Sequence, residues 1–514
     1  MQRRKAPNRY VLIALALAIV GFGAAMSACG GGDAVPSPTP GASGPTGTPD
    51  QYRKPNIVFI LMDDMNLTDF LHLRYTQEHL VRKGTFFPQH TVDVPLCCPS
   101  RVSTLRGQYA HNHGVLTNQP PRGGFSTFLN LGLEAETIGT WLQSAGYRTA
   151  FIGKYLNGYN DRQAHRLGLD IPETHVPPGW DRWVSTGGNN IQDYPLNIDG
   201  AITRMGRSPE ELQTVVTARY ALDFVRQAAR DGQPFFVFVS PYAPHGPWLY
   251  PPEDARLFAD QDIPRPPSFN EADVSDKPPA IQALPTVTEP EIRQGINIHQ
   301  RRLRSMQPID RLIRDLVEVL REAGQLENTY IILTSDNGYL QGPHRIPSGK
   351  GWAYEESVRI GMVVRGPGMA AGATVGTLTA NIDFAATFAE IAGFTAPFAL
   401  DGRTFVGENG GATETGRRSL FIASYANREA GDSGDAEAVG RWVGFRTPRM
   451  KYVEWEDGFR ELYDLVNDPY ELDNLAVLRP EIDLAPFSAY LAALRTCAGA
   501  SCRAAEDAEP PPLP

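Results

Sequence analysis

Surplus positive charge is what this 514-residue chain most clearly lacks: 48 Lys and Arg stand against 58 Asp and Glu, for a formal net charge of −10. A protein that binds nucleic acid needs a basic surface to neutralise phosphates, so no nucleic-acid partner is expected. A local pocket of Arg, Lys and His can still hold a small anion against that global sign. Cysteine is scarce, five in all, yet two of the five, Cys97 and Cys98, are adjacent. Neighbouring cysteines rarely bond to each other, because the S–S geometry is hard to satisfy between them. Histidines in a metal-ligand array are missing as well: His111 and His113 in HNHG have no further ligands at suitable spacing, and on a strand they would share only one face. What remains is ordinary globular composition, 42% apolar and 21% charged, in a chain comfortable for two domains. The 43 prolines and 49 glycines predict long, shaped loops around a regular scaffold.

The N-terminus reads as a targeting segment. MQRRKAPNRY is basic, and VLIALALAIVGFGAAMSACG is apolar and fades into small residues. It resembles a bacterial lipoprotein signal over residues 1–28, with Met26-Ser27-Ala28 ahead of Cys29, the residue to be lipidated. A plain signal peptide or a retained helix is the alternative, the apolar stretch being barely long enough to span a membrane. Arg3-Arg4 admits a twin-arginine reading, although the residues after it fit poorly. Residues 29–54 are rich in Gly, Pro and Ser and read as a tether. The expected location is the outer face of a bacterial cell membrane. In that oxidising compartment Cys497 and Cys502, in TCAGASC, can close a small loop.

Four apolar runs read as buried parallel strands, each followed at once by polar groups. NIVFILMDD ends in Asp63 and Asp64, RTAFIGKY carries Lys154, PFFVFVSPYAPHGP carries His245, and TYIILTSDNG ends with Asp336 and Asn337. Between them lie helical patterns, ETIGTWLQSAG, TARYALDFVRQAARDG and IDRLIRDLVEVLREAG, each stopping at glycine. Strands alternating with helices predict an α/β fold with helices on both faces of the sheet. Ligands of such sheets bind beyond the carboxyl ends of the strands, where these four sets of side chains would meet. Taken singly, each signal is weak: an Asp pair also caps helices, and DNG also makes turns.

The pentapeptide CCPSR, inside PLCCPSRVSTLRG, resembles the sulfatase signature Cys-x-Pro-Ser-Arg, with Cys97 as the key cysteine and Cys98 in the variable position. Thr104 stands where an apolar residue is usual. The likeness continues through GKYLNGY, SPYAPHGP, RPPSFNEADVSDKP, TSDNGYLQGPHRIPSGKGWAYEESVRIGMVVRGPG and NIDFAATFAEIAG. It ends in RTPRMKYVEWEDGFRELYDLVNDPYELDNLA, which resembles the family's small C-terminal sheet domain. The fold implied is alkaline-phosphatase-like: a large mixed, mostly parallel sheet flanked by helices, then a small antiparallel sheet. The organisation implied is a catalytic domain over 55–430, the small sheet subdomain over 431–496 and a tail over 497–514.

The resemblance also implies chemistry. The motif cysteine of sulfatases is oxidised to formylglycine by a formylglycine-generating enzyme. One hydroxyl of the hydrated aldehyde attacks sulfur, and the second re-forms the aldehyde as sulfate is expelled. Asp63, Asp64, Asp336 and Asn337, with an oxygen at position 97, are the implied ligands of one divalent cation. An all-oxygen set suits Ca²⁺ better than Zn²⁺. Arg101 is implied to orient the hydrate, Lys154 and Lys350 to stabilise sulfate oxygens, and His245 to protonate the leaving alcohol.

Many sulfatases have a histidine two residues after the lysine that matches Lys154; here that position is Leu156, followed by Asn157. That variant resembles the N-acetylglucosamine-6-sulfatase and arylsulfatase branch and places Asn157 at the substrate. The base that triggers sulfate elimination is left open, with His344 either substituting for it or lining the substrate site. The expected activity is hydrolysis of sulfate monoesters, on sulfated sugars. The alternatives are a phosphodiesterase or phosphonate hydrolase on the same fold, or a homologue that never receives the aldehyde.

Overall fold

A computed structural model of the protein describes residues 54–159, 172–186, 191–426 and 439–513. Cys29, the basic and apolar leader and nearly all of the tether lie outside those residues. In chain order the strands described are β1 (Asn56–Met62), β2 (Thr85–Phe87), β3 (His90–Thr91), β4 (Arg148–Lys154), β5 (Arg182–Thr186) and β6 (Pro195–Ile198). They continue with β7 (Ala201–Arg204), β8 (Phe235–Ser240), β9 (Thr329–Ser335), β10 (Met362–Arg365), β11 (Ala373–Thr374) and β12 (Thr379–Ala380). The last four are β13 (Leu420–Ser424), β14 (Trp442–Arg446), β15 (Met450–Trp455) and β16 (Arg460–Asp464).

Ten strands form the main sheet in the order β11-β2-β10-β9-β1-β8-β4-β5-β6-β7. Its centre, from β9 through β1, β8 and β4 to β5, is parallel, and antiparallel pairings lie toward both edges. The centre of the sheet is covered on both faces, and the sequence of β1 shows why its run is unbroken. Ile57, Phe59 and Leu61 pack on one side with Phe384 and Phe388, and Val58, Ile60 and Met62 on the other with Leu312 and Leu316. A strand buried on both faces has no polar alternation to display, and each such side chain contributes roughly 1.5–3 kcal/mol by leaving water. The three expected helices form as Ile138–Ser144, Gln213–Asp231 and Gln307–Glu322.

The small antiparallel sheet, β13-β14-β15-β16, follows. Its first strand comes from ahead of residue 431. Two contacts fix it to the loops of the main sheet. Arg446 holds both Glu355 carboxylate oxygens at 2.8 Å, and Trp442 Nε1 donates to the Gly351 carbonyl at 2.9 Å. Burial alone would raise the Glu355 carboxyl, but Arg446, Lys451 and Arg359 outweigh it and hold it well below the usual range. Cys497 and Cys502 are disulfide-bonded.

Candidate active site

Strands β9, β1, β8 and β4 are neighbours and run parallel, so their carboxyl ends share one rim. Asp63 and Asp64 leave β1, Lys154 closes β4, His245 follows β8, and Asp336 and Asn337 leave β9. Asp64 adopts a left-handed backbone (φ +70°), a conformation that Asp tolerates better than most residues and that recurs at functional sites. Gly153 (φ +123°) precedes Lys154, and a Cβ there would stand 1.9 Å from the Ser240 carbonyl oxygen. No other residue lets β4 lie so close to β8.

Cys97 is the first residue of the buried helix Cys97–Arg106. Contacts from neighbouring and distant segments brace that helix along its length. The Cys98 N–H donates to Asn118 Oδ1 at 2.9 Å. Buried Asp93 accepts from Ser103 Oγ (2.8 Å), Asn381 Nδ2 (2.8 Å) and the Ala110 N–H (2.9 Å), and Asn381 Nδ2 also donates to Ser100 Oγ. The Cys97 thiol faces Asp63 Oδ1 at 3.5 Å, and Lys350 Nζ lies 2.8 Å from its Sγ and 2.5 Å from Asp64 Oδ1. Burial and the Asp63 charge push the thiol up to about 12, over the opposing pull of Lys154 and Lys350.

Around this sulfur the charges interlock. Arg101 Nε donates to Asp336 Oδ2 (2.8 Å), and its Nη1 donates to Ser240 Oγ (2.6 Å) and the Lys154 carbonyl (3.2 Å). Its Nη2 stands 3.5 Å from Asp63. Lys154 Nζ donates to Asp63 Oδ2 and lies 5.1 Å from the Tyr242 ring centroid. Burial would raise the Asp63 carboxyl, but Lys154, His245, Arg101 and Lys350 together hold it far below the ordinary range. Asp336 goes the other way, raised by burial and then by the Asp63 charge.

His245 donates from Nδ1 to the Gly246 carbonyl at 2.8 Å, since a carbonyl can only accept. That fixes the tautomer of the neutral ring and leaves the Nε2 lone pair toward the site, 4.0 Å from Asp64 Oδ2. A ring nitrogen of His245, Cys97 Sγ and an Asp63 oxygen lie within 4.8 Å of one another. His344 sits in a different cluster: its Nδ1 pairs with Glu271 at 2.7 Å, and its ring stacks on Tyr354. Burial pulls that imidazole down to about 3. Leu156 belongs to the apolar core. The Asn157 carbonyl accepts the Phe125 N–H at 2.7 Å, and its Oδ1 is buried without a hydrogen-bond partner. The HNHG segment is a short helix, Ala110–His113, rather than a strand; His113 Nε2 meets Ser103 Oγ, and His111 meets the Cys497 carbonyl.

The residues fit a hard divalent cation. Oxygens of Asp63, Asp64 and Asp336 and the Cys97 sulfur lie within 4.8 Å of one another. Asn337 donates from Nδ2 to Asp64 Oδ1 at 2.6 Å, while its own carbonyl oxygen, Oδ1, is buried with no hydrogen-bond partner. An orphaned carbonyl beside three carboxylates is the donor set that such a cation takes.

Ser240, Asn118, Asp93 and Asn381 were not singled out in the sequence. Only the place of Ser240, at the end of a strand in the active-site rim, could have signalled it.

A catalytic centre built on the strand ends of an α/β sheet, with a cysteine at a helix head among three carboxylates, two lysines and an arginine, defines an anion-processing hydrolase. Two family models match the chain: Sulfatase over residues 55–394, and N-sulphoglucosamine sulphohydrolase, C-terminal, over residues 344–483. The chain belongs to the sulfatase family and is a sulfuric ester hydrolase. N-acetylglucosamine-6-sulfatase from Capra hircus is 32% identical over 495 residues, 90% of this chain and 87% of the relative. An arylsulfatase from Volvox carteri is 32% identical over 519 residues, 88% of this chain and 76% of the relative. Among solved structures, a protein in complex with its substrate D-glucosamine-2-N,6-O-disulfate matches with a TM-score of 0.70 at 22% identity, over 86% of this chain and 97% of that one. A phosphonate monoester hydrolase from Silicibacter pomeroyi matches at 0.64 and 23% identity, over 86% and 93%. At such identities these two report fold alone, and that fold is the alkaline-phosphatase-like one expected.

Proposed function

We propose that the protein removes sulfate from sulfated sugars, using formylglycine made from Cys97 and one bound Ca²⁺. The observation that carries this reading is the meeting of Asp63, Asp64, Arg101, Lys154, Lys350 and Asp336 around the head of the CCPSR helix, with Lys350 Nζ 2.8 Å from Cys97 Sγ. The sulfated-sugar part is supported by the relatives that act as N-acetylglucosamine-6-sulfatases and by the neighbour solved with a sulfated glucosamine.

Sγ stands here for the oxygens of the hydrated aldehyde, which supplies one hydroxyl to attack sulfur and another through which sulfate is later expelled. Asp63, Asp64, Asp336 and Asn337 would hold the cation, which would neutralise sulfate charge and acidify the attacking hydroxyl when bound. Arg101, clamped by Asp336 and Ser240, is held in place to orient position 97. Lys154 and Lys350 present their ammonium groups to the sulfate oxygens, already fixed in a dry site. His245, protonated at Nε2, donates to the leaving alcohol; the neutral ring then takes the proton whose loss triggers elimination. Because Leu156 offers no base, both steps fall to His245, and His344 is not required for either.

Release of inorganic sulfate tests the reading, with glucosamine 6-sulfate, an aryl sulfate and a phosphonate monoester assayed side by side. Sulfate release should exceed phosphonate cleavage. It should fall to background when a calcium chelator is added, and return when Ca²⁺ is restored. No sulfate from either ester, or release indifferent to chelation, would contradict it.

Maturation then requires a formylglycine-generating enzyme in the host, and we propose export with a lipid anchor at Cys29. Cys29→Ala should move the protein from the membrane fraction to the soluble one. An unchanged distribution would remove the anchor.

A further inference from the structure

A second concave surface lies between the small sheet and the loop that leads into the helix Gly124–Asn130. Its cavity volume is about 480 Å³, a size that holds small ligands. Four arginines line it, Arg122, Arg441, Arg460 and Arg495, against two carboxylates, Glu454 and Glu456. Arg441 pairs with Glu456 at 3.4 Å, and Arg460 with Glu454 at 3.3 Å. Arg122 and Arg495 form no ion pair with any described carboxylate. Arg122 is held below its ordinary range by burial and then by the like charge of Arg441. On a chain of net charge −10, a cleft with unanswered guanidinium groups is a local reversal of sign. Tyr425 and Trp455 add aromatic surface to its wall.

Both walls are hydrogen-bonded to segments that carry residues of the reaction centre. Trp442, which lines the cleft, donates from Nε1 to the carbonyl of Gly351, the residue after Lys350. Arg122 closes the loop in which Asn118 accepts the Cys98 N–H, and its carbonyl accepts the Leu116 N–H at 2.7 Å. Guanidinium groups bind sulfate and carboxylate oxygens in paired hydrogen bonds, and an aromatic wall suits the apolar face of a sugar ring.

We propose that this cleft is a second anion subsite, which binds a sulfate or carboxylate on a sugar unit next to the one whose ester is cleaved. Oligosaccharides carrying several negative charges are then preferred over singly sulfated sugars. The inference rests on the sulfated-sugar reading above, so its test has an arm that needs no turnover.

The probes are a sulfated glucosamine-containing tetrasaccharide and glucosamine 6-sulfate. Each is titrated by calorimetry into protein in which Cys97 is left unconverted. The variant is Arg122→Gln/Arg495→Gln, because neither arginine has a described ion-pair partner to strand. Losing two charge-assisted contacts should raise the tetrasaccharide Kd about tenfold or more while shifting the monosaccharide far less. In converted enzyme the ratio of kcat/KM for tetrasaccharide over aryl sulfate should fall by a similar factor. Raising the salt concentration should shrink the wild-type preference, as screening of those contacts requires. A variant that binds the tetrasaccharide as tightly as the wild type overturns the subsite. If no sulfate ester is hydrolysed at all, the sulfatase reading fails, and the calorimetry still decides the cleft.

Discussion

Cys97→Ser should lower kcat by on the order of 10⁵-fold or more, the scale on which covalent enzymes lose rate when their nucleophile goes. The fold should be intact, because serine is smaller than cysteine and meets the same polar surroundings of Asp63 and Lys350. The reason for the loss is chemical rather than steric. A serine hydroxyl that attacks sulfur is left carrying a stable sulfate ester, with no second hydroxyl on the same carbon to expel it. Incubation with substrate should therefore yield at most one sulfate per chain, retained on the protein. Steady-state kinetics with intact-protein mass measurement checks this. Turnover within tenfold of wild type would mean that position 97 is not the nucleophile.

The second large effect is expected at Arg101. Its guanidinium is buried and pairs with Asp336 and Asp63 while tying Ser240 to the carbonyl of Lys154. Arg101→Met removes the charge, keeps much of the volume and strands the buried Asp336 carboxylate, while Asp63 keeps its bond from Lys154. Breaking a buried pair in this way costs about 3–5 kcal/mol of stability. The same substitution frees the groups that fix position 97, and the loss of a preorganised donor lowers kcat by about 10²–10³-fold. Arg101→Lys should recover part of the stability but little of the rate, since one ammonium cannot make the fork to Asp336 and Ser240 together. Urea unfolding and kinetics on the three proteins separate the two effects. Equal stability of wild type and Arg101→Met would show that the Asp336 carboxylate does not depend on Arg101.

The parts of the site that are legible in the sequence are those that sit at the ends of strands. A hydrophobic run followed at once by Asp63-Asp64, by Lys154 or by Asp336-Asn337 announces its own geometry, because parallel strands that pair must end on the same side. The CCPSR motif adds Cys97, the proposed nucleophile, through resemblance, and Lys350 also comes from resemblance, since no strand ends at it. Other parts are silent in the sequence for a physical reason. Asp93 and Asn381, which brace the helix at Ser103 and Ser100, are separated by 288 residues and meet only through the fold. The antiparallel flanks of the main sheet are drawn from short segments such as Pro195–Ile198 and Ala201–Arg204, which have too few residues to show a period. HNHG misleads because two histidines two apart look like one strand face, whereas the chain turns into a helix between Tyr109 and Gly114. The sequence leaves His344 open: its neighbours Asn337 and Lys350 join the cluster around Asp64 and Cys97, while its own ring turns toward Glu271 and Tyr354.

The account stands on position 97 being an aldehyde in the working enzyme. The most direct measurement is the mass of the tryptic peptide Gly84–Arg101, from protein made in its native host, with and without a hydrazide that traps aldehydes. The prediction is a peptide lighter by the difference between CH₂SH and CHO, which takes up the hydrazide and is absent from Cys97→Ser protein. A peptide carrying an intact thiol in protein that still releases sulfate would contradict it.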